Sequence, residues 1–152
     1  DRFDVIIDSG TIEHIFDLKA VLINIHQMLK VGGRAIFISS PVSNYVDHGY
    51  YMYSPQLFYD YFHVNKYNIV SFYIIFFKRD FLRDPWIIYL YQPGSLDEYC
   101  YGGMPNDMIV SFWLCVEKTE NALCGVIPQQ GDSRQICKEG NKKEPFICLG
   151  QL

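Results

Sequence analysis

The chain has 152 residues, a length that suits one domain, and 49% of them are hydrophobic, which is ample for a core. Its formal net charge of −4 argues against phosphate-backbone binding as the main task, because that needs clustered Lys and Arg, and the pair Lys142-Lys143 is too short to form such a patch. The five cysteines, at 100, 115, 124, 137 and 148, are odd in number and form no C-x-x-C, so neither zinc nor a dithiol is indicated and no metal is expected.

The stretch FDVIIDSGTIEHIFDLKAVLINIHQMLKVGGRAIFISSP, Phe3 to Pro41, reads as strand, loop, helix, glycine turn, strand. Val5-Ile6-Ile7 is a continuous apolar run, as expected of a parallel strand covered on both faces. Asp17 is the expected N-cap of the following helix. Leu18, Val21, Leu22, Ile25 and Leu29 recur at helical spacing and form one apolar stripe. Lys30 suits the negative end of that helix, and Gly32 or Gly33 supplies the left-handed residue that ends it. Ala35-Ile36-Phe37-Ile38 is a second buried-strand run. Two such strands joined by one amphipathic helix predict a right-handed βαβ crossover. Ligands bind such sheets beyond the carboxyl ends of the strands, here Asp8-Ser9-Gly10-Thr11 and Ser39-Ser40-Pro41.

Further along, PVSNYVDHGYYMYS (41–54) is a tyrosine-rich loop that emerges at the same sheet edge. Ser54-Pro55 opens a second helix whose apolar face holds Leu57, Phe58, Tyr61 and Phe62. Tyr67 to Arg79 and Met108 to Lys118 are long β-like runs. Between them, Asp80 to Asp107 is longer than an ordinary hairpin connection. Its apolar part, Trp86 to Tyr91, reads either as a short lid helix or as an insertion that covers the sheet edge. From Glu120 the composition turns polar, so residues 120–152 are read as a poorly ordered tail behind a domain at 1–119. No signal peptide is visible, and Ile69 to Phe77 is too short and interrupted to span a bilayer as a helix. The expectation is a cytoplasmic, soluble protein with reduced thiols and no nucleic-acid or membrane partner.

The run "FDVII…EHIFD…LINIHQMLKVGGRAIFIS" resembles the fourth strand, following helix and fifth strand of class I S-adenosylmethionine-dependent methyltransferases. The chain differs from that pattern at Val31, where proline is usual. The resemblance is good over residues 3–41, fair to about Phe62, and beyond that is a succession of elements. It implies a partial Rossmann-like α/β sheet, a parallel βαβ followed by antiparallel final strands, with the N-terminal strands missing. The family's Gly-rich cofactor loop has no counterpart here, because the chain opens on Asp1-Arg2 directly before the matching strand. The chain is therefore expected to be the C-terminal part of such a domain.

The resemblance implies S-adenosylmethionine as cofactor and places Ser9, Gly10, Thr11 and Glu13 beside it. His14 is a candidate for proton handling, since imidazole titrates near neutrality. The alternative is that Glu13 caps or pairs with a cation and His14 packs under the next helix. His48 is the candidate general base on the acceptor side, with Tyr45, Tyr50, Tyr51 and Tyr53 as ring-stacking or hydroxyl contacts for a small-molecule or sugar-like substrate. The alternative there is a packed tyrosine loop with His48 bonded to backbone. His26, mid-helix, is expected to be a satisfied surface or boundary residue. The competing non-enzymatic reading is a truncated or degenerate half-domain that associates through an exposed sheet edge. A nicotinamide-dependent reductase ranks below both, for want of a phosphate-binding glycine fingerprint.

Overall fold

Alternation of apolar runs with two amphipathic helices produces an α/β fold with a mixed, open sheet. The computed structural model describes residues 2–80, 82–100, 102–130 and 148–151. The strands are β1 (Phe3–Ser9), β2 (Leu29–Ser43), β3 (Asn68–Phe77), β4 (Ile87–Leu90), β5 (Ile109–Glu117) and β6 (Cys148–Gln151). They lie in the order β1-β2-β5-β3-β4-β6. β1 and β2 pair in parallel, and each other neighbouring pair is antiparallel. The helices are α1 (Leu18–Met28), which makes the crossover from β1 to β2, and α2 (Pro55–Val64).

The start of α1 follows the sequence reading: the Asp17 carboxylate accepts the Ala20 N–H at 2.9 Å. Its end does not. α1 stops at Met28, Leu29 is already extended, and β2 begins there. Gly32 has a positive φ of 77°, but it sits in an irregular start of β2, where the register with β1 slips between Phe3 and Val5. Lys30 reaches across to Asp4 at 2.9 Å and does not serve the helix terminus. That role falls to Lys118, whose buried ammonium donates to the carbonyls of His26 and Leu29, each at 2.8 Å. A cation bonded to the last carbonyls of a helix is favourable for both hydrogen bonding and the dipole. His26 is hydrogen-bonded to the Tyr67 hydroxyl at 2.8 Å, as a boundary residue should be.

The core lies between the helices and one face of the sheet. Phe37, Phe58, Phe62, Phe72 and Phe112 are almost fully buried there and meet edge-to-face or tilted, with Phe58 and Phe112 centroids 4.8 Å apart. The opposite face is different. Val5 and Ile7 are 51% and 61% exposed, so the expectation that β1 is covered on both faces does not hold. β1 is an edge strand; among the described residues it pairs with β2 alone, and only Ile6 of its central run packs on the core.

The apolar run 86–91 is no helix: Ile87–Leu90 is strand β4, antiparallel to β3, so this insertion covers the edge of β3. The predicted tail lies in part outside the described residues, at 131–147. Residues 120–130 are irregular but tied down. Asn65, buried at the end of α2, donates from Nδ2 to the Val126 carbonyl (2.9 Å), accepts the Val126 N–H on Oδ1 (3.1 Å), and accepts the Leu123 N–H on its own carbonyl (2.8 Å). Cys148–Gln151 pairs with β4 as the outer strand β6. No helix among the described residues is long and apolar enough to cross a membrane.

Burial raises four phenols of this packing above their ordinary value of 10: Tyr45 and Tyr61 to about 12, and Tyr53 and Tyr67 further. The unfolded chain releases these protons near pH 10 while the folded chain holds them. The stability they contribute is therefore complete below pH 10 and is lost as pH climbs from 10 towards 12. Urea midpoints measured across that range should fall; a flat or rising profile would contradict the burial of these rings.

Candidate functional site

Parallel pairing ends with Ser9 opposite Ile38; β2 runs on to Ser43, so Ser39-Ser40-Pro41, expected at the strand's end, lies within it. The chain leaving β1 turns at once. The Asp8 carboxylate accepts the Thr11 N–H at 3.3 Å, and Gly10 takes a φ of 69°. Burial pushes the Asp8 carboxyl up, against the opposing hydrogen bonds from the Thr11 and Ile12 backbone. Ile12–His14 then forms a single 3-10 turn, anchored by the fully buried Ile12.

The last part of β2 is irregular. Its register with β5 slips between Phe37 and Ser40 and again between Pro41 and Ser43, and Ser39 has a φ of 60°. The Asn44 amide donates to the carbonyls of Pro105 (3.1 Å) and Met108 (2.5 Å). A turn at Tyr45–His48 follows, closed by the His48 N–H on the Tyr45 carbonyl at 3.0 Å, with Asp47 in the left-handed region at φ 59°.

The two loops are stitched together. Tyr50 N–H donates to the Glu13 carbonyl at 2.7 Å, the Tyr53 hydroxyl donates to the Ile12 carbonyl at 3.0 Å, and the Tyr51 hydroxyl donates to the Phe16 carbonyl at 2.8 Å. The close approach needs Gly49: a Cβ there would lie 2.8 Å from the Glu13 carbonyl oxygen. A Cβ on Gly10 would lie 3.1 Å from Glu13 Oε1 on the other side.

Glu13 thus sits between two glycines with 1% of its surface exposed. Its Oε1 lies 3.9 Å from His14 Nε2 and 3.7 Å from His48 Nε2, and the two rings are 5.2 Å apart. Its Oε2 is buried with no hydrogen-bond partner. The imidazoles are half-exposed, at 47% and 51% of their side chains. Burial holds the neighbouring Tyr45 and Tyr53 phenols above their ordinary range, and the Glu13 charge adds to this at both.

The sequence reading divided these residues between a donor and an acceptor side. The structure brings Glu13, His14 and His48 into one cluster, with the Tyr45 ring 5.3 Å from that of His48. Ser9 and Thr11 are exposed at the end of β1. Glu13 is covered. Tyr51 is stacked on Tyr53 at 5.5 Å, while Tyr50 is exposed and meets the exposed Phe16 edge-to-face at 6.2 Å, forming an aromatic rim. Gly49 carries part of the site that sequence reading passes over. The His-Gly dipeptide shows a flexible position, but not which backbone it must approach. A separate cavity of about 200 Å³ lies between α1, α2 and residues 124–128, lined chiefly by apolar side chains including Leu18, Leu22, Phe58 and Val126.

No protein-family model, curated protein or solved structure matches the chain.

Gly49→Ala tests the contact between the loops, because Gly49 has no positive φ and the three atoms nearest the added methyl all belong to Glu13. The clash is with backbone, so relief requires the loops to part. The expected outcome is a loss of roughly 1–3 kcal/mol in chemical denaturation. A variant as stable as the parent would contradict this packing.

Proposed function

We propose that this chain is the C-terminal part of a class I S-adenosylmethionine-dependent methyltransferase domain, acting on a small-molecule or sugar-like acceptor. The observation that carries the reading is the meeting of Glu13, His14 and His48 at the carboxyl ends of two parallel strands, the place where open sheets hold their ligands. Two further features agree with the family resemblance. β1, α1 and β2 form the βαβ unit matched by the motif, and the last long strand, β5, runs antiparallel to β3.

The chemistry asked of such a site is an in-line displacement. The methyl group leaves the sulfonium of the cofactor for a nucleophilic atom of the acceptor, the sulfur departs as a neutral thioether, and the acceptor gives up a proton. Holding donor and acceptor collinear supplies much of the rate, so few groups need to react. The residues at the end of β1 suit the cofactor side: Ser9 and Thr11 are exposed and Gly10 carries no side chain to block the backbone. His48, half-exposed and flanked by Tyr45, suits the acceptor side, where a neutral imidazole takes the proton. Phe16 and Tyr50 offer apolar surface to the acceptor at the rim.

The free edge of β1, with Phe3, Val5 and Ile7 exposed, favours a second reading: a non-catalytic half-domain that works by associating with another chain along that edge. Titration of S-adenosylmethionine or its demethylated product separates the two. Saturable binding by this chain, or by a chain extended at its N-terminus, is the expected result. Binding by neither, together with self-association through β1, would overturn the methyl-transfer reading in favour of the second.

A further inference from the structure

Taking a carboxylate out of water costs several kcal/mol unless charge and hydrogen bonds answer it. Glu13 is 1% exposed, yet one of its oxygens has no partner and the other faces two imidazoles at 3.7 and 3.9 Å, beyond hydrogen-bond distance. Those contacts are ion pairs only when the imidazoles are protonated. Gly10 and Gly49 flank the side chain closely, leaving no room for a side chain of their own beside it. The arrangement is unsatisfied as it stands and is built around a point between three side chains.

We propose that Glu13, His14 and His48 bind a first-row divalent transition-metal ion of the zinc class. One ligand atom from each residue lies within 4.8 Å of the others. Ligands of a tetrahedral zinc at 2.0–2.1 Å stand about 3.4 Å apart. The two Glu13 separations are within about half an ångström of that value. The half-exposed imidazoles are free to close the rest by rotation, while Glu13 stays fixed between the glycines. Two imidazoles and one carboxylate favour zinc, iron, cobalt or nickel over magnesium or calcium, which prefer all-oxygen sets. The ion neutralises the buried carboxylate and clamps the 45–50 loop to the 12–14 turn. Three protein ligands leave at least one position open, as in sites that carry a water or a substrate atom. The inference rests on the buried carboxylate and the two facing imidazoles and not on methyl transfer; an ion held by His48 Nε2 takes the place of that nitrogen's role as proton acceptor.

Equilibrium dialysis of the chain against Zn²⁺, with thiols kept reduced, tests it. The expected result is one saturable site that Mg²⁺ and Ca²⁺ do not displace. His14→Ala, His48→Ala and Glu13→Gln should each weaken it by about 100-fold, on the scale at which lost metal-site contacts are felt. Circular dichroism of each variant checks that the fold persists, and His26→Ala should leave binding unchanged. Because Cys100, Cys115 and Cys124 are free thiols, Co²⁺ spectra provide a second readout. The site predicts ligand-field bands with no thiolate-to-metal charge transfer. No saturable binding, binding that survives all three substitutions, or a thiolate band on the bound ion would each overturn the proposal.

Discussion

A parallel pair of strands cannot be closed by a tight turn, so the chain between β1 and β2 must travel back along the sheet before it can pair again. That single constraint arranges the rest of the molecule. α1 makes the return, its apolar stripe supplies one wall of the core, and Lys118 at the end of β5 fastens its last turn. The strands then point the same way, with β2 running on to Ser43 past the end of β1. Their two outgoing loops have no choice but to meet, and the chemistry-bearing residues of the first half of the chain lie on those loops.

The main core lies on one face of the sheet, although the centre of the other face also buries Ile75 and Ser111. α1 and α2 pack on the side that carries Ala35, Phe37, Phe72, Phe112 and Leu114, and this aromatic core takes up most of the chain's large side chains. The other side keeps Val5 and Ile7 in contact with solvent and pairs Trp113 only with Trp86 among ring contacts of the described residues. The β3 edge is protected by β4, which in turn carries β6, whereas the outer edge of β1 is bare among the described residues.

Much of this order was legible in the sequence, because burial and periodicity write directly into composition. The runs at 5–7 and 35–38, the Asp17 cap, the Ser54-Pro55 start of α2 and the long strands at 68–77 and 109–117 all follow from local pattern. The misses have a common cause: they depend on partners distant in the chain. The last carbonyls of α1 are held by Lys118, 89 and 92 positions away, and not by the glycines beside it. Ile87–Leu90 is a strand because β3 offers an edge, a fact absent from the run itself. Residues 123–126 are ordered by Asn65 although their composition is that of a tail. At the site, the individual candidates Glu13, His14 and His48 were visible, but their union was not, since nothing local says that Gly49 lets one loop lie against the other.

The site is therefore a property of two loops acting as one unit around a buried carboxylate. A double-mutant cycle on Glu13→Gln and His48→Ala, read by chemical denaturation, measures that unity most directly. The two residues are far apart in the chain but 3.7 Å apart in space. The account predicts a coupling free energy of at least about 1 kcal/mol, as for groups in direct contact. Effects that add to within roughly 0.3–0.5 kcal/mol, the behaviour of independent sites, would contradict it.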